Sequence, residues 1–304
     1  MKLETKDLLT GDEISSKEFL ELIDFSIKLK EENKTVKGKQ LLENKTLAML
    51  FEKPSTRTRV SFETGMKQLG GHTIILSLNE MQHSRGESVE DTAKTLSGYV
   101  DGIVARVYEH SFIEDLAKHA TVPVINGLSN SYHPCQTLAD FMTIKEHKKK
   151  FKDLKISWIG DGNNVCNSLI FGCSKTQTDI VIATPKGFEP NPEVVKKASE
   201  NTTIDLTTDP ESAVKDADIV MTDTFTSIHT SDPKRIEKFL PSFQVNDSLM
   251  EKAKNDAIFM HCLPAKREQE VTSSVIDGPQ SVVWDEAENR LHTQKALLLS
   301  LLGI

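Results

Sequence analysis

The segment TLAMLFEKPSTRTRVSF, residues 46–62, changes character twice along its length. Thr46 to Phe51 is an apolar run of strand length. Val60, Phe62, Met66 and Leu69 then follow helical spacing, and Gly70-Gly71 stops the helix. Between the two stand Ser55, Thr56, Arg57, Thr58 and Arg59. A strand that hands the chain to a helix is the repeating unit of an α/β fold. The first turn of a helix has unpaired N–H groups and the positive end of the dipole, so it binds phosphate readily. Ser55, Thr56 and Thr58 add hydroxyl donors there, and Arg57 adds a planar fork that matches phosphate oxygens. The turn therefore reads as an anion site. The plainer alternative is a capped helix with solvent-facing arginines.

The same alternation runs outward in both directions. Ser15 or Ser16 caps a helix carrying Phe19, Leu22, Ile23 and Ile27. HTIILSL (72–78), GIVARV and VPVIN read as strands, and VEDTAKTLSGYV and FIEDLAKHA read as helices. ADFMTIKEHKKK (139–150) is helical and ends in a solvated lysine run at the crossing to a second half. There KISWIGD, DIVIATP, ADIVMTD and AIFMHCLP are almost continuously apolar, as strands of a buried parallel sheet are. EAENRLHTQKALLLSLL closes the chain as a helix. The expected fold is α/β with two domains, residues 1–138 and 139–288, each a parallel sheet with helices on both faces. A C-terminal helix, 289–304, is expected to pack back on the first domain.

Composition narrows the function. A chain of 304 residues can hold two cores. A net charge of -8 argues against nucleic-acid binding, though not against one small basic pocket. Cys135, Cys166, Cys173 and Cys262 form no C-x-x-C pair and read as reduced thiols of a cytoplasmic protein. The start, MKLETKDLLTGDEISS, has no apolar core of a signal peptide, and no apolar run reaches the length of a membrane span. LLLSLLGI reads as the buried end of a helix.

Two further strand ends carry chemistry. Arg106 ends GIVAR, and His133-Pro134-Cys135-Gln136 follows VPVINGLSNSY. Ligands of open α/β sheets bind at such carboxyl ends. Competing readings are weaker. WIGDGNN holds Gly160 and Gly162, but Val165 replaces the third glycine of a dinucleotide turn, and no acidic residue ends DIVIATP. His133 with Cys135, or His261 with Cys262, suggests a metal. Neighbours on a strand point to opposite faces, however, so neither a metal nor a cofactor is expected. A hydrolase built on Cys262 would leave the anion pocket idle. A non-catalytic phosphate-binding module would not need so many donors from both halves.

The S-T-R-T-R turn, Arg106 and HPCQTLAD (133–140), followed by WIGDGNNV (158–165), DTFTS (223–227), HCLPA (261–265) and EAENR (286–290), resemble the carbamoyltransferase family. The similarity is greatest to its ornithine-using branch. That resemblance implies transfer of the carbamoyl group of carbamoyl phosphate to the δ-amine of L-ornithine, in arginine biosynthesis. Ser55, Thr56, Arg57 and Thr58 would hold the phosphate. Arg106 and His133 would meet the carbonyl side, and Gln136 the amide end. Cys262 and Leu263, on a turn with a cis Leu263–Pro264 bond, would bind the carbamoyl group together with Arg290 at the start of the last helix. Gln82 would reach into a neighbour's site, which implies a homotrimer with shared active sites. Asn164, Asp223, Ser227 and Ile228 would bind ornithine, and Asp223 with Cys262 would relay the amine proton.

One departure stands in the acceptor loop. The family's D-x-W-x-S-M-G is Asp223-Thr224-Phe225-Thr226-Ser227-Ile228-His229 here, so His229 replaces a glycine and its freedom of φ > 0. HCLP and DTFTS favour an amine-bearing acceptor over aspartate. Putrescine would leave the carboxylate site unused, and an N-acylated ornithine would leave Asp223 without a partner.

Overall fold

The computed structural model describes residues 1–33, 40–226 and 233–304. Its contacts group the chain into two compact units, 1–142 with 288–304, and 143–287.

In the first unit, α1 (Ser16–Asn33) precedes four strands: β1 (Thr46–Phe51), β2 (His72–Ser77), β3 (Gly102–Arg106) and β4 (Val124–Leu128). They alternate with α2 (Thr56–Gln68), α3 (Val89–Ser97), α4 (His110–His119) and the start of α5 (Pro134–Lys148). All pairings are parallel, in the order β2-β1-β3-β4. Successive residues Leu47, Ala48, Met49 and Leu50 are all buried, because helices cover both faces of the central strand. The edge strand β2 is half-exposed instead. At the entry to α1 it is Ser15 that caps. Its Oγ accepts from the Glu18 N–H at 3.2 Å, and the Glu18 carboxylate accepts from the Ser15 N–H at 2.8 Å. This reciprocal pair is the S-x-x-E capping box.

The second unit holds β5 (Lys155–Ile159), α6 (Asn164–Thr176), β6 (Asp179–Ala183), α7 (Pro192–Ala198), β7 (Ile204–Thr207), α8 (Pro210–Val214) and β8 (Ile219–Thr222). α9 (Asp247–Met250), β9 (Ile258–His261), α10 (Ser273–Ile276) and the first turn of α11 (Val283–Leu301) follow. The strand order is β7-β6-β5-β8-β9, again parallel throughout. Sequence reasoning missed β7. It is a half-exposed edge strand, IDLT, whose Leu206 is turned largely to solvent. Phe225 stacks on Phe239 with ring centroids 4.5 Å apart, and Phe188 and Phe243 meet Phe239 edge-on.

The last helix behaves as expected, since 288–304 belongs to the first unit. The Leu3 N–H donates to the Ser300 carbonyl, and Lys295 Nζ donates to Gln68 Oε1. Ala296 to Ser300 are buried, whereas the final Gly303 and Ile304 are exposed. Among the described residues no helix is long and apolar enough to cross a membrane.

Both sheets share one feature that positions ligands. β1 lies between β2 and β3, and β5 lies between β6 and β8. The connection leaving β1 runs to β2 and that leaving β3 runs the other way to β4, and β5 to β6 and β8 to β9 diverge likewise. A crevice opens at such a switch point beyond the carboxyl ends of the strands.

Candidate active site

In the first unit the switch point lies where Phe51 of β1 is in register with Arg106 of β3. The S-T-R-T-R turn leaves β1 there and enters α2. Ser55 is the N-cap residue by backbone geometry, but its hydroxyl makes no capping hydrogen bond. The plain capped-helix alternative therefore fails for the residue best placed to cap. Arg59 pairs with Glu63 one turn along, and both are exposed, so it is the solvent-facing arginine of the two. Thr58 is buried, and its Oγ1 accepts from Arg106 Nη1 at 3.1 Å. Gly127 of β4 packs closely on β3, since a Cβ there would meet Val104 Cγ1 at 3.1 Å and the Ala105 carbonyl at 3.3 Å.

His133, just ahead of α5, is buried near three guanidinium groups. Burial, then Arg290, Arg106 and Arg57, hold its imidazole well below the ordinary histidine range. It is therefore neutral near pH 7 and can donate one N–H. Gln136 accepts from Arg290 Nη1 through Oε1 at 2.7 Å. The helix α11 begins at Val283, so Arg290 lies about two turns inside it and not at its start. Ser55 and Thr56 stand at the entry to α2, partly and fully exposed. Gln82 opens a short 3-10 turn, Gln82–Arg85, and is exposed. Cys135, two residues past His133, is fully buried. Burial pushes its thiol up to about 11, and its S–H donates to the Asn126 carbonyl.

In the second unit Ile159, Thr222 and His261 end β5, β8 and β9 in mutual register. Asp223 follows β8 and is buried. Its Oδ1 accepts from the Thr224 N–H at 2.7 Å and from Cys262 Sγ at 3.3 Å. Its Oδ2 accepts from Asn163 Nδ2 at 2.8 Å. Asn163 also caps α6, accepting from the Val165 and Cys166 N–H groups through Oδ1. Asn164, the expected ligand, is the first residue of that helix and is buried. The Leu263–Pro264 bond is cis, and Leu263 has φ 57°. Ser227, Ile228 and His229 lie outside the described residues.

The base of the acceptor loop is held by a residue that sequence reasoning did not single out. Arg235 donates through Nε to the Phe225 carbonyl at 2.9 Å and through Nη2 to Asp161 Oδ2. Its guanidinium lies over the Phe188 ring at 4.5 Å. Burial pushes the Asp161 carboxyl up to about 6, with Arg235 pulling it down and Asp223 adding to the rise. Asn163 could have been found from the rule that asparagine precedes a helix. Arg235 had no such signal.

Of two arguments made from the sequence, this geometry supports one and corrects the other. Gly162 is not opened for a pyrophosphate. Its N–H donates to the Phe188 carbonyl, and a Cβ on it would meet Pro190 N at 2.2 Å. The chain itself fills that approach. The argument that His261 and Cys262 face opposite sides fails. β9 ends at His261, so Cys262 is past the strand, and ligand-type atoms of Asp223, His261 and Cys262 lie within 4.8 Å of one another. These three could hold a metal ion by distance. His261 Nδ1, however, already accepts from the Leu263 N–H at 2.9 Å, which leaves Nε2 as the protonated nitrogen facing Glu270 Oε1 at 3.2 Å.

Comparison with known proteins matches each unit to a domain of one family. Residues 6–146 match the carbamoyl-P binding domain of aspartate/ornithine carbamoyltransferase, and residues 152–301 match its Asp/Orn binding domain. The chain is 60% identical over 301 residues to the ornithine carbamoyltransferase of Cenarchaeum symbiosum (strain A), covering 99% of each. It is similar in structure to the ornithine carbamoyltransferase of Pyrococcus furiosus, with a TM-score of 0.94 and 51% identity over 98% of this chain and 97% of that one. The enzyme from Thermus thermophilus gives a TM-score of 0.91 at 43% identity, covering 98% of this chain and 99% of that one. The chain belongs to the aspartate/ornithine carbamoyltransferase family.

Proposed function

We propose that this protein transfers the carbamoyl group of carbamoyl phosphate to the δ-amine of L-ornithine, giving L-citrulline and phosphate. The observation that carries the reading is the buried His133 among Arg57, Arg106 and Arg290 at a switch point. Such a cationic pocket suits a small dianion with a carbonyl group. Relatives described as anabolic, from Pyrococcus furiosus and Campylobacter jejuni, support the biosynthetic direction.

The residues divide the work as follows. The N–H groups opening α2, with Ser55, Thr56, Arg57 and Thr58, bind the phosphate and stabilise the charge it gains on leaving. Arg106 and His133 donate to the carbonyl oxygen as it becomes an oxyanion, and Arg106 is steadied by Thr58. Gln136, Leu263, Cys262 and Arg290 hold the carbamoyl group. On the acceptor side Asp223, Asn164, Ser227 and Ile228 bind ornithine.

The amine attacks the carbonyl carbon, the C–N bond forms, and the C–O bond to phosphate breaks. An alkyl amine is mostly protonated at pH 7, so its proton must leave before attack. Asp223 and Cys262, already hydrogen-bonded to each other, accept and pass on that proton. Nothing in the scheme changes oxidation state, so no step needs a redox cofactor. Holding both substrates in line supplies much of the remaining acceleration.

The working assembly in this reading is a homotrimer in which Gln82 completes a neighbour's site. Its exposed position supports a role outside its own subunit. The four thiols carry no disulfide, which supports a reducing compartment such as the cytoplasm.

The test is a citrulline assay with carbamoyl phosphate and ornithine, run beside putrescine, N-acetylornithine and aspartate with phosphate release as readout. Turnover with ornithine alone is expected. Release with another acceptor would reassign the loop from Asp223 to His229. No release with any acceptor would overturn the reading.

A further inference from the structure

On α5, Asp140 lies one turn beyond Gln136 and is fully buried. Gln136 Nε2 donates to Asp140 Oδ1 at 2.8 Å, while Gln136 Oε1 accepts from Arg290 Nη1 at 2.7 Å. Gln136 and Arg290 are 1% and 3% exposed, so water does not soften either contact.

The two partners impose one sense on the amide. A carboxylate accepts and cannot donate when ionised, so it takes the NH2 end. A guanidinium donates and cannot accept, so it takes the oxygen. Turning the amide over would set oxygen against carboxylate and NH2 against guanidinium, in a dry site where unmet polar contacts are most costly. A glutamine side chain alone has no preference between the two senses. Arg290 supplies half of the constraint and Asp140 the other half.

We infer that Asp140 is a positioning residue. Acting through Gln136, it sets the glutamine oxygen on the Arg290 side, where it selects a carbamoyl NH2 over the methyl of acetyl phosphate. The inference rests on the reading above that Gln136 and Arg290 meet the carbamoyl group. Carbamoyl and acetyl phosphate share the phosphate and the carbonyl. They differ in that one offers two N–H donors where the other offers a methyl group. An acceptor oxygen held in place discriminates between them. An amide held by Arg290 alone is less firmly fixed in that sense and loses part of the discrimination.

The experiment compares wild type, Asp140→Asn and Asp140→Ala in citrulline formation. The readouts are the KM for carbamoyl phosphate, the inhibition constants of acetyl phosphate and inorganic phosphate, and the thermal midpoint. Asp140→Ala is expected to raise the carbamoyl phosphate KM about tenfold, the equivalent of about 1.4 kcal/mol. Inhibition by acetyl phosphate and phosphate should change less than about twofold. Asp140→Asn keeps one acceptor oxygen and should fall between the two. Should the alanine variant not fold, the near-isosteric asparagine variant decides by the same ratio. An unmoved ratio of carbamoyl phosphate KM to acetyl phosphate inhibition, beside a lowered thermal midpoint, would make Asp140 a packing residue and overturn the proposal alone. Absence of citrulline formation in wild type would overturn it together with the reading of the site.

Discussion

Asn163 Nδ2 reaches Asp223 Oδ2 at 2.8 Å, joining the residues that follow β5 and β8 although they are 60 positions apart. The same asparagine caps α6 through its oxygen. One side chain thus fixes the helix start and the carboxylate proposed to receive the acceptor amine. Asn163→Ala should raise the ornithine KM roughly tenfold, about 1.4 kcal/mol, with carbamoyl phosphate binding unchanged. It should also lower stability by about 1 kcal/mol through the lost cap. Initial-rate kinetics with each substrate varied, beside urea unfolding, separate the two effects. Equal losses for both substrates would count against the positioning of Asp223.

Arg235 and Asp161 form a half-buried pair at the base of the acceptor loop. Arg235→Met leaves the half-buried Asp161 carboxylate without its cation and should cost about 2 kcal/mol at neutral pH. The pair also has a pH signature. Asp161 has its carboxyl raised from 3.8 to about 6 by burial, so between those values the folded state holds a proton that the unfolded state has lost. Stability therefore declines as pH rises through that window. Asp161→Asn should remove the decline, which unfolding midpoints from pH 4 to pH 7 would reveal.

Histidines act in the opposite sense. Burial holds His133 well below 6.5, with Arg290, Arg106 and Arg57 adding to it. Burial and Lys295 bring His292 to about 4, against the pull of Glu288. The unfolded chain takes up these protons below about pH 6.5 while the folded chain refuses them, so stability falls with acidification. His292→Gln should flatten the fall between pH 6.5 and pH 4. The rate follows different groups. Citrulline formation should rise with pH from neutral to mildly alkaline as the acceptor amine loses its proton, with no inflection from His133. A rate that stays level across that range would sink the neutral-amine mechanism.

The proposed sharing of sites makes a prediction about mixtures. Gln82→Ala and Arg57→Ala should each be nearly inactive as pure assemblies. Mixed in equal amounts after reversible dissociation, they form sites in which an intact Arg57 meets an intact Gln82 from a neighbour. About one quarter of wild-type activity should return if assembly is random. Activity that stays at the level of the separate variants would show that each subunit works alone.

Much of this was legible in residues 46–62. The apolar run of β1 and the hydroxyl and arginine pattern that opens α2 are local properties, and the observed bounds of β1 are those read from the sequence. The buried strands announced themselves because both of their faces are covered. β7 did not, because an edge strand with half its surface in water needs few apolar residues. The choice between Ser15 and Ser16 needed the reciprocal bond with Glu18.

By itself the sequence determined the alternation of strands and helices and which turns carry donors, since propensity, periodicity and capping act over a few neighbouring residues. The order of the strands, and with it the two switch points, was decided only by tertiary structure. So was the sense of the Gln136 amide, set by a partner one turn away and another 154 residues away. The tie between Asn163 and Asp223 and the support from Arg235 belong to the same class. Hydrogen bonds act over about 3 Å, and no local pattern encodes which distant residues the folded sheet will bring within that range.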